Sequence, residues 1–207
     1  MTTMTPATAR ALWEALVDNA AHLVAEADML FPSPRAQSLI VLAEEEVGKA
    51  VWVSRAFWNA WGDSDETPLE VPELRTDGRR HLPKLVQAFD FWTAAIEVPG
   101  NAEPVEIELV REHAPELLVA YLTGQAHSDD QSKMRGFYVD IDNDGTISVP
   151  HRIERPHLRV HIWQVADMVQ WLITNDGLMA SLAGRPIPPT REVEALLCAV
   201  LARGWGE

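Results

Sequence analysis

Arg35-Ala36-Gln37-Ser38-Leu39-Ile40-Val41-Leu42-Ala43-Glu44-Glu45-Glu46-Val47-Gly48-Lys49 is the stretch on which the fold turns. Ser33 can cap a helix and Pro34 suits its first position. From Arg35 to about Trp61 the residues Leu39, Ile40, Ala43, Val47, Ala50, Phe57 and Trp58 recur at helical spacing. At about 100° per residue, Leu39, Ala43, Ala50, Ser54 and Phe57 share one side. Glu46 falls inside that apolar arc, with Glu45 and Lys49 at its edge and Arg35 on nearly the same azimuth as Glu46. A carboxylate facing a core costs several kcal/mol, on the order of a buried charge, unless it is paired and hydrogen-bonded. A cation must therefore come to Glu46. Lys49 can serve in part, and a later helix offers His81 and Lys84 three apart on one face. Two readings stay open: a buried ion pair that fixes helix register, or a site between helices whose groups shift each other's pKa.

Outward from this helix the chain reads as all-α. Thr5 and Pro6 start a first helix that runs to about Met29 on Leu12, Trp13, Leu16, Val17, Ala20, Leu23, Val24 and Ala27, and Pro32 and Pro34 end it. A polar loop spans about 62–78. A third helix covers about Arg79 to Ile96, with Leu82, Leu85, Val86, Phe89 and Trp92 as its stripe. Residues 103–130 are helical but interrupted at Pro115, with Leu117, Leu118, Tyr121 and Leu122 on the packing side. Period-two alternation on either side of Asn143-Asp144-Gly145 predicts a β-hairpin over about 137–149. Helices over about His157–Leu182 and Thr190–Arg203 complete the chain. With no internal repeat and no clear linker, residues 1–207 are expected to form one helical domain.

The composition bounds the function. The 207 residues carry 17 Lys plus Arg against 31 Asp plus Glu, a net charge of -14. Such a chain is no general polyanion binder, so neither DNA nor an anionic membrane is an expected partner, and any RNA contact must use local basic patches. A single cysteine, Cys198, excludes a disulfide framework and suits a reducing compartment. No secretion signal and no apolar run long enough to span a bilayer is found, so the expected location is cytoplasmic.

Three segments resemble the AbiV family of phage abortive-infection proteins. The first is the quoted helix, with its small and apolar run ending in Glu45, Glu46, Val47, Gly48 and Lys49. The second is His81-Leu82-Pro83-Lys84, similar to a downstream His-x-x-Lys. The third is Lys133-Met134-Arg135-Gly136-Phe137-Tyr138-Val139-Asp140, followed by Pro150. The resemblance implies an HEPN-like helical bundle with a four-helix core and a role in halting growth or translation in infected cells. Many HEPN-like proteins are metal-independent ribonucleases or their inactive relatives, and such proteins tend to form symmetric homodimers. HEPN nucleases typically carry an Arg followed a few residues later by a His. Arg75 and His81, Arg152 and His157, and Arg155 and His161 all have that spacing, so the pattern alone assigns nothing.

The remaining constellations are weaker. Asp140 to Ile147 resembles part of an EF-hand loop, but His151 stands where a bidentate Glu is required, so a hairpin turn is the default. His157 and His161 are i and i+4, yet no Glu follows His157 and no Cys is near, so His161, on a face with Val165, Met168 and Leu172, is expected to be a hydrogen-bonded, half-buried histidine. No metal and no cofactor is expected. Locally basic segments are Arg75, Arg79, Arg80 and Lys84; Lys133 and Arg135; and Arg152, Arg155 and Arg159. The expected function is thus an antiphage effector acting on RNA or the translation machinery. Glu45, Glu46, Lys49, His81 and Lys84 are its candidate catalytic groups, and Arg35, Arg79, Arg80, Lys133 and Arg135 its candidate RNA contacts. The competing expectation is a non-enzymatic module that docks a phage or host protein, in which the Glu/Lys/His cluster is structural.

Overall fold

A computed structural model describes residues 3–63, 66–96, 112–141, 145–150, 157–185 and 191–204. Helix α1 (Pro6–Leu30) starts where the sequence predicts. Thr5 accepts the Thr8 amide at 3.2 Å, and Pro6 occupies the first turn, where its missing N–H is no loss. Helix α2 is Pro34–Asp63. Beyond it come the short α3 (Pro72–Thr76), α4 (His81–Ile96), α5 (Pro115–Phe137), α6 (Leu158–Leu182) and α7 (Arg191–Leu201).

Helix α2 runs through the middle of the bundle and packs against α1, α4, α5 and α6, while α7 closes over α1 and α6. The main core is built from Trp13, Val24, Ile40, Val47, Phe57, Ile162, Met168 and their neighbours. A smaller cluster of Val41, Leu85 and Ala126 sits where α2, α4 and α5 meet. Polar ties cross the same interfaces. Arg10 forks onto Asp176 with both N···O distances at 2.6 Å, joining α1 to α6. Buried Asp28 at the end of α1 receives both Arg159 and Arg203.

The hairpin predicted over 137–149 is present as strands β3 (Asp140–Ile141) and β4 (Ile147–Ser148), paired antiparallel; it begins later than expected because α5 continues through Phe137. Two expectations need correction. The loop at 62–78 holds α3 and a strand, β2 (Leu69–Glu70), that pairs antiparallel with β1 (Thr3–Met4). Two-residue strands are too short to carry a period in the sequence. Leu117 and Tyr121, assigned to the packing side of α5, are exposed. The buried stripe of α5 is Leu118, Leu122, Ala126, Asp129, Lys133 and Gly136, at helical spacing. Leu118 and Leu122 are buried as expected; the rest of the stripe was missed because most of it is polar or glycine. The proposed helical stretch over 103–111, the turn residues Asp142 to Asp144, and Arg152 and Arg155 lie outside the described residues.

Candidate functional site

The wheel placed Glu46 inward; the structure instead buries Glu44 and Glu45, at 1% and 4% exposure. Glu46 turns aside and pairs with Lys49 at 2.6 Å. The reason is the position of α2. A helix surrounded by four others has no single apolar arc, so averaging over its length cannot say which carboxylate meets a partner. The deduction that a cation must come to an inward carboxylate holds for the neighbouring residue.

Glu45 is the hub of a junction between three helices. Its Oε2 receives the Lys84 ammonium at 2.6 Å from α4. Its Oε1 receives Lys133 at 2.7 Å from α5 and faces His81 Nδ1 at 2.7 Å from α4. His81 and Lys84 reach one carboxylate because residues three apart on a helix share a face. Burial pushes the Glu45 carboxyl up; the hydrogen bonds and charges of Lys133 and Lys84 outweigh it and hold the group below the usual carboxylate range. Two glycines allow the helices to come this close. A Cβ on Gly48 would lie 2.0 Å from the Lys84 carbonyl oxygen. A Cβ on Gly136 would lie 2.6 Å from the Pro34 carbonyl and 2.1 Å from Ser38 Oγ. Ser38 Oγ donates to the Lys133 carbonyl at 2.7 Å, completing the α2–α5 contact. The three segments of the sequence resemblance therefore meet in one place.

Within the junction, Lys84 and Lys133 are closed off, with side chains only 6% exposed. Lys133, assigned to RNA from its place in a basic segment, is instead spent on Glu45 and Asp130 and presents nothing outward. His81 differs: its side chain is 47% exposed. If Nδ1 carries the proton toward Glu45, Nε2 is the nitrogen left for a solvent-side partner. Arg79 and Arg80 precede it and are exposed, Arg80 pairing with Asp77 at 2.8 Å. Arg35 and Arg135 are exposed and flank the contact between Pro34 and Gly136. Arg159 is withdrawn from the third basic segment by Asp28.

A second constellation lies across α2, on the side of Glu44. A cleft of about 410 Å³ is lined by Gln37, Glu44, Trp92, Asp129, His157 and His161, among others. His161 Nε2 is 2.7 Å from Glu44 Oε1, and its Nδ1 is 2.8 Å from the Gln37 side-chain amide. The expected half-buried, hydrogen-bonded histidine is thus observed. Glu44 is pushed up to about 7 by burial, against the charge and hydrogen bond of His161. Burial alone would lower His161, but the charge and hydrogen bond of Glu44 raise it to about 9. Burial also raises Asp129, whose Oδ2 accepts from Gln125 at 2.9 Å. Glu44 Oε2 is buried with no hydrogen-bond partner among the described residues. Sequence reasoning missed Glu44 and Asp129 because they come from α2 and α5, 85 positions apart in numbering, and only their shared contact with His161 unites them.

A central helix tied by buried ions to its neighbours, in a bundle with almost no strand among the described residues, defines an all-helical bundle protein. The family model described as AbiV (HEPN_AbiV) matches residues 8–171, and the chain belongs to that family. Membership carries an abortive-infection, HEPN-type role. No curated protein and no solved structure matches the chain. Among the described residues no helix is long and apolar enough to cross a membrane.

Proposed function

We propose that this AbiV-type protein is an abortive-infection effector that acts on RNA in the cytoplasm, with His81 as its acid/base group. The observation that carries the reading is the Glu45–His81 contact: a buried carboxylate orients an imidazole whose other side reaches solvent. A carboxylate that fixes a histidine's tautomer and orientation is a recurring device of acid/base catalysis. Nε2 would accept the proton of an RNA 2′-hydroxyl as its oxygen attacks the adjacent phosphorus. The 5′ oxygen leaves with a proton taken from water, giving a 2′,3′-cyclic phosphate and a 5′-hydroxyl end, and His81 returns its proton to solvent. Exposed Arg35, Arg79, Arg80 and Arg135 supply positive charge for backbone phosphates. Lys84 and Lys133 act through Glu45, and Glu46 and Lys49 form a separate pair outside the cluster. A homodimer fits the exposed apolar side chains of Phe137 at the end of α5 and of Tyr138, Val139, Ile141 and Ile147 beyond it.

The test is cleavage of total bacterial RNA by purified protein, read by sequencing product ends. Wild type is expected to leave 5′-hydroxyl ends, and His81→Ala is expected to leave the RNA intact. Equal cleavage by both, or intact RNA with wild type, removes the enzymatic reading. The second reading, a non-enzymatic docking module, is favoured by the closure of Lys84 and Lys133 around Glu45, which is what a purely structural tie looks like. It predicts that His81→Ala retains protection against phage in cells.

A further inference from the structure

We propose that Glu44, Asp129 and His161 form a binding site for a divalent first-row metal ion of the Zn²⁺ kind, opening onto the cleft between α2, α4, α5 and α6. One ligand atom from each of the three residues lies within 4.8 Å of the others. One imidazole nitrogen with two carboxylate oxygens suits such a cation better than Ca²⁺ or Mg²⁺, which prefer oxygen-only shells. Three protein ligands leave a further coordination position, the arrangement of open rather than purely structural zinc sites.

Two independent features support a ligand here. Glu44 is 1% exposed, lines the cleft, and its Oε2 has no hydrogen-bond partner among the described residues. A buried carboxylate oxygen without a donor is the atom a cation satisfies. The second is the donor set: Glu44 and Asp129, at 1% and 5% exposure, place two buried carboxyl groups beside the single imidazole of His161. The lysines that would otherwise serve, Lys84 and Lys133, are consumed by Glu45. A divalent ion with neutral His161 makes the cluster electrically balanced.

The surroundings are those of a prepared ligand set. Metal-bound histidines characteristically use their second nitrogen on a neighbouring acceptor. His161 Nδ1 meets the Gln37 amide at 2.8 Å, and turning that amide presents its oxygen to an Nδ1 proton. Gln125 holds Asp129 Oδ2 and leaves Oδ1 for the ion. Binding replaces the proton on His161 Nε2, which now faces Glu44 Oε1 at 2.7 Å, and gives Glu44 Oε2 the partner it lacks among the described residues. Sequence inspection expected no metal because it searched for a local histidine pair, whereas the carboxylates arrive from two other helices.

Isothermal titration of Zn²⁺ into chelator-treated full-length protein tests this. One ion per chain is expected, with proton release visible as a dependence of the heat on the buffer's ionisation enthalpy. His161→Gln and Asp129→Asn are each expected to weaken binding at least tenfold while circular dichroism shows a folded chain. Gln37→Leu is expected to weaken it tenfold to a hundredfold, as loss of an outer partner does. His81→Ala should bind as wild type, because His81 belongs to the other carboxylate–histidine group, with Glu45 and Asp130. Absence of stoichiometric binding, binding that survives both ligand substitutions, or binding lost only in His81→Ala overturns the assignment.

Discussion

Replacing Glu45 by glutamine keeps the shape of the side chain and removes the charge that α4 and α5 share. Lys84 and Lys133 then remain in the bundle, each with a side chain 6% exposed and without their common carboxylate. Lys133 can fall back on Asp130, 3.0 Å away. Among the described residues Lys84 has no second carboxylate in its ion pairs, so the loss is that of about one broken buried pair, about 3–5 kcal/mol. In a chain of this size each kcal/mol moves the melting temperature by about 2–4 °C, so Glu45→Gln should melt about 6–20 °C below wild type. Scanning calorimetry measures the loss. A triple change, Glu45→Leu with Lys84→Met and Lys133→Met, should recover most of the loss, since apolar groups of similar volume can replace a buried ion cluster. A Glu45→Gln variant that melts within about 2 °C of wild type would refute the three-helix junction.

Other consequences follow from the same geometry. Gly48→Ala places a methyl group 2.0 Å from the Lys84 carbonyl oxygen, so α2 and α4 must separate. A loss of about 1–3 kcal/mol, as for overpacked interiors, is expected by urea titration, and an unchanged midpoint would contradict the close crossing. The Glu44–His161 pair makes metal-free protein pH-sensitive. His161, raised from 6.5 to about 9, adds stability that is present below pH 6.5 and lost as the pH climbs through 9. Glu44, raised from 4.5 to about 7, makes stability fall between pH 4.5 and 7. Both slopes descend with rising pH, the upper one on the order of 3 kcal/mol. Melting in chelator should therefore decline from pH 6.5 to 9, and His161→Gln should flatten that part of the curve.

The fold was legible wherever one face of a helix is apolar and the other wet. Helix α1 shows this best: Trp13, Leu16, Val17, Ala20, Val24 and Ala27 are all buried as their spacing predicts. Legibility failed where burial is polar. In α5, Asp129 and Lys133 occupy the inward stripe, and a pattern search for apolar residues slides around the helix onto exposed Leu117 and Tyr121. In α2 the same effect moved the inward carboxylate by one residue, from Glu45 to Glu46. His81 and Lys84 were legible as partners because their i, i+3 spacing confines them to one face. Lys133 was misread because local sequence shows that a lysine is basic, and only the fold shows that its charge is already spent. The glycines of the resemblance are explained by what approaches them: Gly48 admits the backbone of α4, and Gly136 admits Pro34 and Ser38 of α2.

The protonation of the His81 ring tests the junction and the proposed chemistry together. Nitrogen-15 NMR of the imidazole distinguishes its two neutral tautomers. With Glu45 Oε1 at 2.7 Å from Nδ1, the neutral ring should carry its proton on Nδ1 and leave Nε2 bare, and Glu45→Gln should abolish that preference. A wild-type spectrum showing the proton on Nε2 would contradict both the orientation by Glu45 and the use of Nε2 as a base.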